Sequence, residues 1–331
     1  MALGCCLLAS ALGACGGKPA SSSTPQRPSA PLVEVEAGAP IAAGRMPVAV
    51  AVGAGSVWVA DAARATLLRI DPQRRRRRGA AIPVGPAPFA VAVGEGAVWV
   101  AGQAGDVQAI DPRTSAPAGP AIRVRGANGL AVGLGGVWVT SRVAGTLTRI
   151  DPRSGRPDRP IRVGGGPADG AVADGAVWVA NAADGTVSRF VPGAGRADPP
   201  IRAGGTPLAL AAGEGAVWVG RASGEFGERV EVVRLDPATR RLTGRPVPVG
   251  GAVPLDLAAG DGSVWATDVG GLRPPRPARP GAVTRIAPGA LAVVGAPLET
   301  GKRPTAVAVG AGATWVANAA DGTVTPILPA R

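Results

Sequence analysis

All seven tryptophans of this 331-residue chain stand in one recurring phrase. It reads GSVWVAD at Trp58, GAVWVAG at Trp99, GGVWVTS at Trp138, GAVWVAN at Trp178, GAVWVGR at Trp218, GSVWATD at Trp265 and GATWVAN at Trp315, at spacings of 41, 39, 40, 40, 47 and 50 residues. Spacings so nearly constant mean that one supersecondary unit recurs and that its copies bury their apolar faces against each other. Within each unit, short Val-rich runs are separated by Gly, Asp-Gly and Pro, and helical periodicity is absent. The first unit gives AVAVG, then VWVA, then TLLRIDP and a Pro-bounded IPVG. Four short strands at this period predict an all-β chain, a seven-bladed β-propeller with four antiparallel strands per blade. Each Trp is then the wedge between neighbouring blades, burying about 200 Å².

A radial array must also close. The seventh unit supplies only three strands before the chain ends, but residues 38–53, GAPIAAGRMPVAVAVG, match residues 295–310, GAPLETGKRPTAVAVG, almost position for position. The segment around Ile41 is therefore expected to be the outer strand of the last blade, pairing with residues 323–328 and leaving no open edge there. The propeller is expected over residues 32–331.

The phrases GAVWVANAADGTVSRF and GATWVANAADGTVTPI resemble the YVTN/NHL-type propellers related to virginiamycin B lyase. The resemblance runs the length of the repeats and implies the fold; blades of this kind serve binding scaffolds, kinase ectodomains and enzymes alike. Virginiamycin B lyase-like enzymes use a histidine base beside a magnesium ion held by carboxylates. This chain has no histidine, so that activity does not carry over. Gluconolactonase-like propellers, more distant by fold, hold a metal at the axis with acidic and amide side chains. Here the positions eleven to nine residues before each Trp are mostly Pro, Ala, Leu or Val, the exceptions being Asn128, Asp169 and Asp256. Three oxygen donors near an axis suit a hard divalent cation. This gives an alternative reading, a metal-dependent lyase or lactonase-like enzyme; no other cofactor is expected.

Composition removes other classes. With neither His nor Tyr, most hydrolase triads, imidazole metal sites and phenolic proton donors are missing. No Walker, G-x-S-x-G or H-E-x-x-H motif is present. The net charge of +12 invites a polyanion reading, yet only Lys18 and Lys302 are lysines among the 35 basic residues. So Arg-rich a balance, beside so much Ala, Gly and Pro, reads as compositional bias. Binding of a polyanion through charge alone is kept as a third alternative, marked by a steep salt dependence. With the Trp buried, only Phe89, Phe190 and Phe226 remain as aromatics, too few for stacking on glycans or single-stranded nucleic acid.

The N-terminus reads as an address. An apolar stretch, LGCCLLASALGA, is too short to span a bilayer and leads into Cys15 and a Pro/Ser-rich run. Leu12-Gly13-Ala14-Cys15 resembles the bacterial lipobox, although no Lys or Arg precedes the stretch. The resemblance implies a signal peptide over residues 1–14, lipidation at Cys15, a linker over residues 15–31 and an extracytoplasmic, membrane-anchored protein.

Function on such a ring is expected in its loops. From Trp to the Arg of the third strand the count is 11 in units one, three and four, but 16 in unit five (218 to 234) and 20 in unit six (265 to 285). These insertions build one raised rim, carrying Arg221, Phe226, Arg273, Arg276 and Arg279. The expected function is a non-catalytic interaction scaffold, a monomer, binding a protein or anionic polymer of the cell envelope there. The recurrent R-x-D-P is expected to be structural, Asp-Pro starting a turn and the Arg stem lying along the strand. The run Arg74–Arg78 is expected in the third-to-fourth-strand loop of unit one, on the opposite face, solvated or against anionic headgroups.

Overall fold

The computed structural model describes residues 33–224, 229–250, 254–268 and 281–330. They form seven antiparallel sheets and nothing helical: the chain is a seven-bladed, all-β propeller with four strand positions per blade. Blade 1 runs outward from the axis as Pro47–Gly53, Ser56–Asp61, Thr66–Asp71 and Arg76–Arg77. The innermost strands start at Pro47, Pro88, Ala127, Pro167, Thr206, Pro254 and Pro304, and each contacts the next around a closed circle.

The repeat dictates this packing residue by residue. Every Trp is at most 3 % exposed, and each lies in a cluster with the following blade: Trp58 with Val98 and Ile110, Trp178 with Val217 and Leu235, Trp315 with Val57 and Ile70. Six indole N–H groups donate to the carbonyl five residues earlier, as Trp58 does to Gly53 at 3.1 Å, so the polar atom of a fully buried ring is satisfied within its own blade. The residue that accepts this bond, Ala173 in blade 4 and Gly in the other five, ends the innermost strand where two blades come closest. A Cβ on Gly53 would lie 2.6 Å from Val93, and one on Gly94 would lie 2.7 Å from Val132. The turn that follows has two residues at positive φ, such as Ala54 and Gly55, the geometry that suits a two-residue hairpin.

Closure occurs as the sequence implies. Val35–Ala37 pairs with Pro329, Leu328 and Ile327, and Ile41–Ala42 pairs with Val324 and Thr323, completing blade 7 with a strand from the other end of the chain. The fourth strand is broken into two short pieces in blades 1, 2, 6 and 7. One consequence corrects the sequence reading of Arg74–Arg78. Arg76 and Arg77 are not loop residues but the first piece of the outer strand, paired with Asp71 and Ile70, and Arg78 donates its N–H to the Arg69 carbonyl. The backbone groups of the third strand need partners, and the run supplies them while its side chains stay exposed.

Candidate functional site

The repeated charges are a framework. In the Asp-Pro turns, Asp71, Asp151 and Asp236 each accept N–H bonds from the residues two and three positions on; Asp111 accepts from Arg113. These bonds hold all four carboxyls below the usual range. Eleven residues after Trp58, Arg69 lies over that ring at 4.9 Å, and Arg189 and Arg285 lie over Trp178 and Trp265 at 5.7 and 5.5 Å. Where the Asp is missing the Arg finds another partner: Arg189 pairs with Asp198 at 2.7 Å, and Arg285 bonds Ser263 at 2.8 Å and the Val33 carbonyl.

In blades 1, 3, 4, 5 and 7 the residue three positions after the Trp ties down the segment entering that blade. Asp61 accepts from the Arg45 and Met46 N–H groups, both at 2.9 Å. Asn181 accepts from the Gly164 N–H and donates to Thr186 and Ser188, and Ser141 donates to the Arg125 carbonyl. Arg221 occupies this position in blade 5. It is 8 % exposed, bonded twice to Glu231 at 2.8 and 3.0 Å and to the Ala203 carbonyl, so its charge is neutralised inside the blade and not displayed on the rim. The sequence signal was available, since Arg221 stands three residues after Trp218, where Asn181 stands after Trp178.

Of the other rim residues, Phe226, Arg273, Arg276 and Arg279 lie outside the described residues, as does Cys15. The described part of the rim does stand out. Ala216–Ser223 and Arg229–Asp236 are eight residues each, against six for the blade 1 strands Ser56–Asp61 and Thr66–Asp71, so the blade 5 hairpin extends past its neighbours.

At the axis, Asp169 and Asp256 come near enough for the charge of one to act on the other. Both keep partial solvent contact but are ringed by protein atoms. Burial pushes Asp169 up to about 6; burial first, and the Asp169 charge second, push Asp256 up to about 8. Each carboxylate has both oxygens engaged by backbone. Asp169 accepts from Gly170 and from Leu210 of the next blade, both at 2.8 Å; Asp256 accepts from Leu257 and from Val307 of the next blade, both at 2.9 Å. Asn128 donates to the Ala168 carbonyl of the next blade at 2.7 Å. All three sit at the bulge of an innermost strand and brace it to its neighbour. A fourth brace, Thr305 to the Pro47 carbonyl at 3.1 Å, joins blade 7 to blade 1. It was missed because a hydroxyl was not among the ligand types sought; its place ten residues before Trp315, matching Asn128 before Trp138, could have shown it. Among the described residues no three acidic, His or Cys side chains converge on one point.

No family model matches the chain, and no curated protein matches it. Solved structures do. A streptogramin B lyase superposes with a TM-score of 0.70 at 16 % identity, covering 89 % of this chain and 97 % of its own. Virginiamycin B lyase from Staphylococcus aureus gives 0.70 at 16 %, covering 86 % and 95 %. A chain of the mitotic checkpoint complex gives 0.72 at 12 %, covering 98 % and 99 %. At identities so low, and among proteins so different in kind, these likenesses show the propeller fold alone.

Proposed function

We propose that the protein is a lipid-anchored, extracytoplasmic propeller that acts without catalysis as an interaction scaffold, binding a protein or anionic polymer of the cell envelope on the rim formed by the second-to-third-strand loops of blades 5 and 6. The observation that carries this reading is the lengthened hairpin of blade 5, the one place where the described ring departs from its own repeat toward solvent. The longer insertion of blade 6 adjoins it in sequence order and brings Arg273, Arg276 and Arg279, three cations for an acidic partner. Phe226 adds an apolar anchor, and Arg221 supports the hairpin from within by clasping Glu231.

The test is photo-crosslinking in intact envelopes from residues 226 and 276, with residue 143 in the corresponding turn of blade 3 as control. The expected outcome is one discrete adduct from the two rim positions, lost in the Arg273→Ala, Arg276→Ala, Arg279→Ala triple variant. Equal labelling from residue 143, or an adduct indifferent to the triple variant, removes this face. The rival reading, a metal-dependent lyase or lactonase-like enzyme, draws on the proximity of Asp169 and Asp256. Against it stand the four backbone N–H bonds their oxygens accept. Titration calorimetry with calcium and magnesium decides: saturable heat abolished by Asp169→Asn would favour the rival.

A further inference from the structure

Arg75, Arg76, Arg77 and Arg78 are all exposed, and among the described residues none of the four forms an ion pair; within the run only Arg74 does, with Asp71 at 3.1 Å. Their charge reaches inward. Burial first, and then the charge of Arg78, lower the pKa of Arg69, whose guanidinium lies over Trp58. A propeller blade has two ends, and strand pairing places this run at one of them. Thr66–Asp71 runs from the second-to-third turn toward the third-to-fourth turn, and Arg76 pairs with its last residue, Asp71. In blade 7 the equivalent strand is Thr323–Pro329, and Val35 pairs with Pro329, again at the last positions. The described chain therefore begins, at Val33, on the same face of the ring as the arginine run and one blade away from it. Further along, the closing strand itself meets the run at the outer edge: an open groove is lined by Pro40, Ile41 and Ala42 and by Arg75, Arg76 and Arg77 of blade 1.

The acids of this face are distributed to favour the same sector. The inner turns carry Glu95, Asp174, Glu214 and Asp261 in blades 2, 4, 5 and 6, but Ala54 and Ala311 in blades 1 and 7. On the same face stand Asp71, whose carboxylate is engaged by its own turn and Arg74, and, in blade 7, the exposed Glu34 and Glu36. Against the five arginines these three acids leave an excess of two positive charges, and Arg69 makes it three.

We infer that the ring face bearing the third-to-fourth-strand turns docks on an anionic phospholipid bilayer through Arg75, Arg76, Arg77 and Arg78, the same face on which the chain enters the propeller. Clustered cations attract such a surface within about a Debye length, roughly 8 to 10 Å. The choice of a bilayer over another polyanion rests on the lipid-anchor reading of Cys15; the basic sector does not. Docking by this face turns the lengthened hairpin of blade 5, which belongs to the opposite end of its blade, away from the membrane toward the envelope space.

The test uses the full chain with Cys5, Cys6 and Cys15 replaced by Ser, so that no lipid contributes. Its binding is measured on vesicles of phosphatidylcholine alone and on vesicles of two parts phosphatidylcholine to one part phosphatidylglycerol, in low and high salt. The charge-removal variant is Arg75→Asn, Arg76→Gln, Arg77→Gln and Arg78→Gln, Asn being chosen because residue 75 has a φ of 50°. Binding is expected only on the anionic vesicles, at least tenfold weaker in the variant and lost in high salt. A fluorophore on Gln73→Cys is expected to be quenched by lipid-borne quencher, while one on Ala63→Cys, at the other end of the blade, is not. Should the variant unfold, the Gln73 and Ala63 labels on the unaltered run still decide. Equal affinity of the folded variant, equal quenching at both labels, or binding to soluble polyphosphate without binding to vesicles would each overturn the docking. Failure of the anchor reading shows separately, as an unacylated Cys15 in the mass of the native protein.

Discussion

Blades 4 and 7 share almost the same words, GAVWVANAADGTV and GATWVANAADGTV, yet complete themselves in different ways. In blade 4 the outer strand is the next one along the chain, and Val187 pairs with Ile201. In blade 7 Ile327 pairs with Ala37, from the opposite end of the chain. Loop entropy alone makes the second pairing less favourable by about 2 to 3 kcal/mol, from the ratio of the two sequence separations. The interiors are nonetheless alike. Trp178 packs on Val217, Val219 and Leu235 as Trp315 packs on Val57, Val59 and Ile70, and Asn181 and Asn318 each donate to two side-chain hydroxyls of the third strand. The interior of a blade is written locally, whereas its edge is filled by whichever matching strand the closing ring delivers.

The comparison breaks most severely when the delivered strand is removed. Deleting residues 1–42 strips Thr323–Pro329 of its outer partner and uncovers the cluster around Trp315 to which Ile41 belongs. Thermal unfolding is expected to lose its single sharp transition and to begin more than roughly 10 °C lower. A synthetic peptide of residues 33–43 should restore part of the loss. Unchanged melting would show that the ring does not depend on being closed there. Ile41→Ala is the milder form and should cost about 2 to 4 kcal/mol, since the side chain is 9 % exposed. The same change at Ile201, which is half-buried, should cost less.

A smaller effect sharpens the likeness of the two interiors. Asn318→Ala leaves the Thr300 carbonyl and hydroxyl, Thr323 and Thr325 without their shared partner, whereas Asn181→Ala frees Thr186, Ser188 and the Gly164 N–H. Both should destabilise by about 1 to 3 kcal/mol in denaturant titration, Asn318→Ala the more. The reverse order would mean that the closing blade is already loose in the native ring.

The repeat made the fold legible because every blade makes the same packing demand. The Trp positions gave the blade number, the glycine punctuation gave the turns, and the echo of 295–310 in 38–53 gave the closure. What the repeat could not show was partner choice at its irregular positions. Arg221 looked like a surface cation because Arg usually is one, yet the half-buried Glu231 lies directly opposite it on the neighbouring strand. Asp169 and Asp256 looked like ligands because acids at an axis can hold a cation. What the spacing could not show is that one oxygen of each reaches an amide of the following blade, at Leu210 and Val307, a contact that exists only once two blades are packed. Arg76 and Arg77 looked like loop because five charges do not suggest a strand, but an outer strand needs only its backbone.

The two braces carry the same comparison into pH. Asp169 joins blade 4 to blade 5, and Asp256 joins blade 6 to blade 7. Both carboxyls are raised in the folded protein above their ordinary value, to about 6 and about 8, so the folded state binds more protons than the unfolded state between pH 4 and those values. The stability each contributes is therefore fully present in acid and is lost as pH rises, by about pH 6 for Asp169 and by about pH 8 for Asp256. Asn in place of Asp256 keeps a carbonyl oxygen for the Val307 N–H and carries no charge for Asp169 to oppose. Asp256→Asn should consequently melt above the parent at pH 8.5, by an amount equivalent to about 1 to 2 kcal/mol given the partial solvent contact at the axis, and at or below it at pH 5. Asp169→Asn should flatten the profile between pH 4 and 6 and, by removing the charge that opposes Asp256, also move the Asp256 limb to lower pH. Melting curves that stay parallel to the parent from pH 5 to 8.5 would show that the axial pair does not titrate in this range and that the blade 7 brace is no more burdened with charge than the blade 4 one.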